Sequence, residues 1–233
     1  LREEHMSAGR LDAAVNADKS PGRITELLAP LEDRRSLTRE EWTELIRGRN
    51  EQAAEYLFER ARETRIRHYG HDVYIRGLIE FTNYCRNDCL YCGIRKSNPN
   101  AERYRLTPDE ILTCCEHGYE LGFRTFVLQG REDGWFTDSR RADIVSSIHS
   151  RWQDCAVTLS VGERSRESYR ILREAGADRF LLRHETYDHE HYARLHPPSL
   201  SAQERQRCLW DLKELGFQAG TGFMVGSPFQ TAE

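Results

Sequence analysis

The sequence predicts an α/β fold. It reads as a (β/α) TIM-type barrel that reaches its fifth strand and is preceded by a helical extension. Three observations carry this. Short apolar runs at 72–82, 124–129, 156–161, 178–183 and 217–225 alternate with helical patterns, and that alternation indicates βαβ units on a parallel sheet. The first run is apolar along most of its length, as expected of a strand covered on both faces. Gly122, Gly176 and Gly216 each close a helical pattern just before the next run begins, the usual place for a helix-ending glycine.

Residues 1–35 are polar and lack a sustained period, apart from a short helical stretch at 23–31, and are expected to form a poorly ordered leader. Residues 36–70 form the helical extension. Thr38 with Glu41 three positions on is a capping box. Trp42, Leu45 and Ile46 then fall on one face. A second helix over 52–69 carries Ala53, Tyr56, Leu57, Ala61 and Thr64 at helical spacing and stops at Gly70. The barrel core is assigned to 71–233. Its first helix opens at Thr107-Pro108, an N-cap followed by proline at the favoured first helical position. Further helices are expected at 139–152, 165–175 and 201–215, with a loop over 184–200. A full barrel takes about 250 residues, so a barrel cut after its fifth strand is the expectation.

Composition narrows the function. Charged residues make up 31% and the net charge is −4, which offers no basic footprint for nucleic acid. No signal peptide and no apolar run long enough to span a membrane is visible in this stretch. Seven cysteines, two of them in a C-x-x-C spacing, favour metal or redox chemistry in a reducing, cytoplasmic compartment over disulfides.

The chemistry concentrates in Cys85, Cys89 and Cys92, spaced C-x3-C-x2-C immediately after the first strand. Barrel enzymes place their chemistry at that end of the strands. Structural zinc takes four protein ligands, and no fourth Cys or His stands at a suitable spacing. Three thiolates suit a [4Fe–4S] cluster whose fourth iron stays open. Zinc binding as an interaction module, or three core thiols, are the alternatives. Cys114, Cys115, Cys155 and Cys208 read as core thiols.

Other candidates end the later strands. Gly130 closes strand two, either as an ordinary glycine-containing turn or as a place where backbone can approach a ligand closely. Thr158 and Ser160 share one side of strand three by the two-residue period, either as ligands or as satisfied core hydroxyls. Arg183 and Glu185 share a side at the end of strand four. Arg183 could clamp a carboxylate, Glu185 could accept from hydroxyls or an ammonium, and a mutual salt bridge is the alternative. His184 faces away and reads as a packing residue, and His191 and His196 receive no role. Arg205 lies early in the fourth barrel helix, and Met224 ends strand five among glycines.

The C-x3-C-x2-C loop with Tyr91 before its last cysteine resembles the radical S-adenosylmethionine (radical SAM) superfamily. The series Cys85 to Arg95, Phe126 to Gly130, Leu159 to Glu163, Ala175 to Thr186 and Met224 to Pro228 is similar to the HydE family of [FeFe]-hydrogenase H-cluster maturases, from about residue 36 onward. The resemblance implies a radical SAM barrel, a [4Fe–4S] cluster on the three cysteines, and S-adenosyl-L-methionine (SAM) chelated at the open iron. SAM is then cleaved reductively to a 5′-deoxyadenosyl radical. It implies that Ser160, Glu185 and Arg205 contact SAM, that Tyr91 and Met224 lie beside the adenine, and that the Gly130 segment faces the SAM amino group. Thr158 and Arg183 would hold a carboxylate-bearing small-molecule or organometallic substrate. Implied partners are an electron donor of ferredoxin or flavodoxin type and other hydrogenase maturases. Arg131 departs from the family's usual glycine and is expected to be strained if its φ is positive. The rival resemblances are a methylornithine synthase-like (PylB) mutase and, more distantly, biotin synthase. A truncated, inactive cluster-binding fragment is a further reading.

Overall fold

Helix signals in the first part of the chain act locally and are realised locally. In this computed structural model, which describes residues 21–232, three helices form there: α1 (Pro21–Arg34), α2 (Arg39–Arg47) and α3 (Glu51–Tyr69). The Thr38 hydroxyl accepts from the Glu41 amide at 3.2 Å, and the Glu41 carboxylate accepts from the Thr38 amide at 2.8 Å. The Asn50 side chain caps α3 by accepting from the Ala53 amide at 2.8 Å. Ile24, Leu27 and Leu28 of α1 are buried with Leu37, Leu45 and Ala53. The short helix expected at 23–31 is present and longer, and the poorly ordered leader expected over 1–35 is corrected for 21–34, a helix whose Ile24, Leu27 and Leu28 are buried. Residues 1–20 of that leader lie outside the described residues. Of the expected α2 face, Leu45 is buried but Trp42 and Ile46 are exposed.

The chain divides at Val73–Tyr74, and residues 74–230 form a second compact unit. Its elements are β1 (Gly77–Glu80), α4 (Pro108–Glu120), β2 (Thr125–Gln129), α5 (Asp138–Arg151), β3 (Ala156–Ser160), α6 (Arg166–Glu174), β4 (Arg179–Leu181), α7 (His189–Leu195), α8 (Ala202–Glu214) and β5 (Gln218–Gly220). The five strands lie in sequence order, all parallel. One strand face carries Ile79, Phe81, Phe126, Leu128, Val157, Leu159, Phe180 and Leu182. These pack with Ile111, Val145, Tyr169, Leu172 and Leu212 of the helices in one core.

All five strands are shorter than predicted, the first, fourth and fifth by the most. The first begins at Gly77, not at 72: among the described residues it is an edge strand paired with β2 alone, and that ladder opens at Gly77↔Phe126. Val73, Tyr74 and Ile75 are consequently exposed. The fifth keeps three residues and then an isolated bridge, Glu185↔Phe223. The loop expected over 184–200 contains α7, capped by the Asp188 carboxylate, which accepts from the His191 amide at 2.6 Å. No helix among the described residues is long and apolar enough to cross a membrane.

Phe180 has no exposed surface and meets the Tyr169 and Phe217 rings edge-on at 5.1 and 5.9 Å. Phe180→Ala is expected to cost about 3–5 kcal/mol of unfolding free energy, read from the urea midpoint.

Candidate functional site

The loop that carries the cysteines starts where β1 ends and is bound from within. Phe81 donates its amide to the Gln129 carbonyl at 3.0 Å and accepts from the Leu106 amide at 2.8 Å. The Arg103 guanidinium donates to the carbonyls of Asn83, Ile94 and Arg95 at 2.6, 2.9 and 2.7 Å. Asp133 accepts from Thr82 and, with both oxygens, from Arg105. Buried carbonyls and charges without water must find protein partners, and here they define the loop's path.

Cys85, Cys89 and Cys92 are all half-buried and unpaired. Cys89 feels the charge of both others, so the three sulfurs share one locality. Burial pushes its thiol up to about 11, opposed by the Tyr91 hydroxyl. A bound metal reverses that balance, because a coordinated thiol is deprotonated outright. Among the described residues no three His, Cys, Asp or Glu side chains converge on a single metal ion. A cube that takes one sulfur per corner asks less convergence than one ion does. Of the other thiols, Cys115, Cys155 and Cys208 are buried as expected, whereas Cys114 is exposed.

The sheet face turned away from the helices carries the predicted polar residues. Thr158 pairs in register with Val127 and Arg179, and Ser160 with Gln129. Thr158 is buried, yet its hydroxyl has no hydrogen-bond partner. Glu185 is also buried, with Oε2 unpartnered. Its φ of +66° is a left-handed conformation that side chains rarely adopt, and such strain concentrates at functional sites. Backbone bonds hold it there: its amide donates to Gly222 at 3.1 Å, and the Met224 amide donates to its carbonyl at 2.9 Å. Arg183 reaches its Oε1 at 3.5 Å from an exposed position. Burial raises the Glu185 carboxyl above its ordinary range, against the pull of Arg183 and Arg205.

Arg205 sits at the start of α8, buried, with Nε 2.6 Å from Glu163 Oε1. Burial alone would lower its pKa, but the Glu163 carboxylate overcomes that and the net shift is upward. The Glu163 amide donates to Glu132 Oε1 at 3.1 Å, and Glu132 Oε2 accepts from Arg86 at 2.9 Å. Arg86 follows Cys85, so this chain of charges runs from the cysteine loop to α8. Sequence reasoning passed over Glu132 and Glu163, because nothing in their local pattern distinguishes a buried carboxylate from a solvated one. Gly162 is required beside them: its φ is +78°, and a Cβ would stand 2.3 Å from the Glu132 side chain.

Two positions after β2 are set by packing and backbone geometry. A Cβ on Gly130 would lie 2.5 Å from the Phe81 ring, so packing already demands glycine there. Arg131 is absent from the positive-φ residues and carries none of the expected strain. His184 donates to or accepts from the Thr221 hydroxyl at 2.9 Å, and His191 contacts the Thr186 hydroxyl and the Pro228 carbonyl. His196 is buried, with Nε2 3.0 Å from the Tyr91 hydroxyl. That contact was invisible in sequence because α7 delivers it.

The Radical SAM superfamily profile matches residues 79–233. The chain belongs to the radical SAM superfamily. Among curated proteins, this radical SAM chain is 45% identical over 208 residues to the [FeFe] hydrogenase maturase subunit HydE of Thermotoga maritima, covering 89% of this chain and 59% of that protein. It is 29% identical over 184 residues to 3-methylornithine synthase of Methanosarcina acetivorans, covering 78% and 52%. It thus spans between half and three-fifths of the length of these two curated relatives. Among solved structures, methylornithine synthase (PylB) superposes with a TM-score of 0.76 at 25% identity, covering 86% of this chain and 59% of that one. HydG, a maturase of the [FeFe]-hydrogenase, superposes with 0.78 at 24%, covering 89% and 47%, and supports the fold.

Superfamily members hold a [4Fe–4S] cluster and SAM, and the residues present fit both. Soft thiolates at this spacing suit iron–sulfur ligation. The unpartnered Thr158 hydroxyl and Glu185 Oε2 are the buried polar atoms that a polar ligand satisfies.

Glu163→Ala leaves Arg205 buried without its carboxylate and is expected to cost about 3–5 kcal/mol, measured by urea unfolding. Glu185 titrates with the opposite logic to a salt-bridged acid. Its folded pKa lies above the ordinary 4.5, so its contribution to stability is complete below that value and is lost as pH rises through the folded pKa. The stability of Glu185→Gln relative to wild type is therefore expected to increase with pH, followed through urea midpoints from about pH 4 to 7.

Proposed function

We propose that this chain carries the SAM-cleaving core of a HydE-type enzyme acting in [FeFe]-hydrogenase H-cluster assembly. Cys85, Cys89 and Cys92 hold the [4Fe–4S] cluster and leave one iron open. When bound, the cluster supplies the electron that divides SAM into methionine and a 5′-deoxyadenosyl radical. Ser160, Glu185 and Arg205 bind SAM. Tyr91 and Met224 flank its adenine, and the Gly130 segment offers backbone acceptors to its amino group. Thr158 and Arg183 bind the carboxylate of the small-molecule or organometallic substrate and orient it toward the radical. An electron donor of ferredoxin or flavodoxin type reduces the cluster, other hydrogenase maturases exchange the substrate, and a reducing cytoplasmic compartment suits the seven free thiols.

The observation that supports this reading above others is the placement of the cysteine loop. It follows the end of β1, Arg183 lies near both Glu185 and Arg205 after β4, and the HydE relative is 45% identical over 208 residues. A methylornithine synthase-like mutase is the second reading, favoured by the fold match to PylB.

Anaerobic reconstitution followed by EPR of the reduced protein tests the core proposal. A [4Fe–4S]+ signal that shifts on adding SAM is expected, and Cys89→Ser is expected to lose both signal and SAM cleavage. A normal cluster spectrum in that variant would sink the assignment. Arg183→Ala is expected to keep the cluster yet lose about 2 kcal/mol of substrate stabilisation, roughly thirtyfold in kcat/KM. Unchanged turnover with either candidate substrate would leave Arg183 a structural residue.

A further inference from the structure

The left-handed conformation of Glu185 persists only where its surroundings over-determine it. Its amide donates to the Gly222 carbonyl and its carbonyl accepts from the Met224 amide, so its backbone is tied to the segment after β5. That segment turns back on itself. The Gln230 side chain donates to the Met224 carbonyl and accepts from the Gly226 amide, both at 2.6 Å. Phe229 in this turn is also left-handed, with a φ of +67°. Two strained residues therefore lie on one short run of contacts.

His191 of α7 closes that run. Its Nε2 lies 2.8 Å from the Pro228 carbonyl oxygen, which can only accept, so Nε2 carries a proton. The Ser227 hydroxyl lies 3.3 Å from the same nitrogen. Nδ1 lies 3.1 Å from the hydroxyl of Thr186, the neighbour of Glu185 in the chain. A hydroxyl can donate or accept, so the ring keeps both partners whichever form Nδ1 takes. One turn on, the Arg194 guanidinium stands over the Phe229 ring at 5.0 Å, a cation–π distance. The helix is itself anchored, with His191, Tyr192 and Leu195 buried. The contacts form a ring: from Glu185 to Met224, along the turn to Pro228, across His191 to Thr186, and back to Glu185.

We propose that His191 is a positioning residue that locks Glu185 in its left-handed conformation and so keeps its unpartnered carboxylate oxygen in place for a ligand. His191 joins the residue beside Glu185 to the segment bonded to its backbone, so slackening either contact frees the same dihedral. The inference rests on the reading that Glu185 binds SAM, and adds what holds that residue ready.

The test measures SAM affinity of the reconstituted protein by EPR titration, in wild type, His191→Phe, His191→Gln, Thr186→Val, Glu185→Ala and the double variant His191→Phe/Glu185→Ala. His191→Phe keeps the ring shape and removes both polar contacts; it is expected to bind SAM about tenfold more weakly, near the upper end of what one hydrogen bond contributes. His191→Gln retains a donor for Pro228 and is expected to stay close to wild type. The double variant is expected to bind no more weakly than Glu185→Ala alone, because contacts that act through one group do not add. Hydrogen exchange without SAM gives a second readout: the segment 222–230 is expected to exchange faster in His191→Phe while β2 and β3 keep wild-type protection. Wild-type SAM affinity in His191→Phe, a His191→Gln as weak as His191→Phe, additive losses in the double variant, or unchanged exchange over 222–230 would each overturn the inference. If His191→Phe loses the fold, Thr186→Val carries the test, since it deletes one hydroxyl: weaker SAM binding is expected, and unchanged binding overturns the inference. A wild-type cluster that SAM leaves unperturbed would instead overturn the functional reading, whereas unchanged exchange over 222–230 bears on the His191 contacts alone.

Discussion

Two carboxylates with almost no access to water, Glu132 and Glu163, hold the site together. Each ionised group loses hydration on burial, and only close partners repay that loss. Glu132 takes its partners from the cysteine loop and from the backbone after β3, while Glu163 takes Arg205 from α8. The partners lie on different segments, so satisfying the charges forces those segments into one arrangement. The cysteine loop cannot drift from β3 without stranding Glu132. Arg205 cannot leave without stranding Glu163. Stability and site geometry are the same constraint here.

The two sheet faces divide the labour. The helix-facing side is apolar throughout and close-packed, which makes the strand ends a rigid frame. The opposite side carries Thr158, Ser160, Arg179 and Arg183. Polar groups on that side remain partly unsatisfied: among the described residues the Thr158 hydroxyl has no hydrogen-bond partner, and Glu185 has one free oxygen in a strained backbone. A fold that spends stability on unpaired polar atoms and a left-handed glutamate keeps them for a ligand. Members of the radical SAM superfamily, to which the chain belongs, bind a sulfonium cosubstrate with amino and carboxylate groups beside an iron–sulfur cluster.

Tyr91 joins the two halves of this account. It stands between cluster ligands in the sequence and touches His196 across the structure. The aromatic ring that the superfamily resemblance places beside an adenine also has a hydroxyl, which meets His196 at 3.0 Å at the end of a helix the sequence did not announce.

What the sequence determined by itself rests on short-range physics. The cysteine spacing, the capping box at Thr38, the Thr107 cap followed by Pro108 and the order of the βα units all follow from residues within a few positions of one another, and they recur in the structure. Tertiary structure decided the rest. The first strand lost its leading residues because an edge strand pairs only as far as its neighbour extends. The polar leader became a helix where Ile24, Leu27 and Leu28 found apolar partners. Gly130 answers to the Phe81 ring, and Arg131 avoids strain, for reasons of packing that the motif does not contain. The contacts that set the chemistry join residues far apart in the chain: Arg86 to Glu132 across 46 positions, Glu163 to Glu132 across 31, and Tyr91 to His196 across 105. A carboxylate or an imidazole looks the same in sequence whether water or a buried partner satisfies it, and only the folded chain supplies the partner.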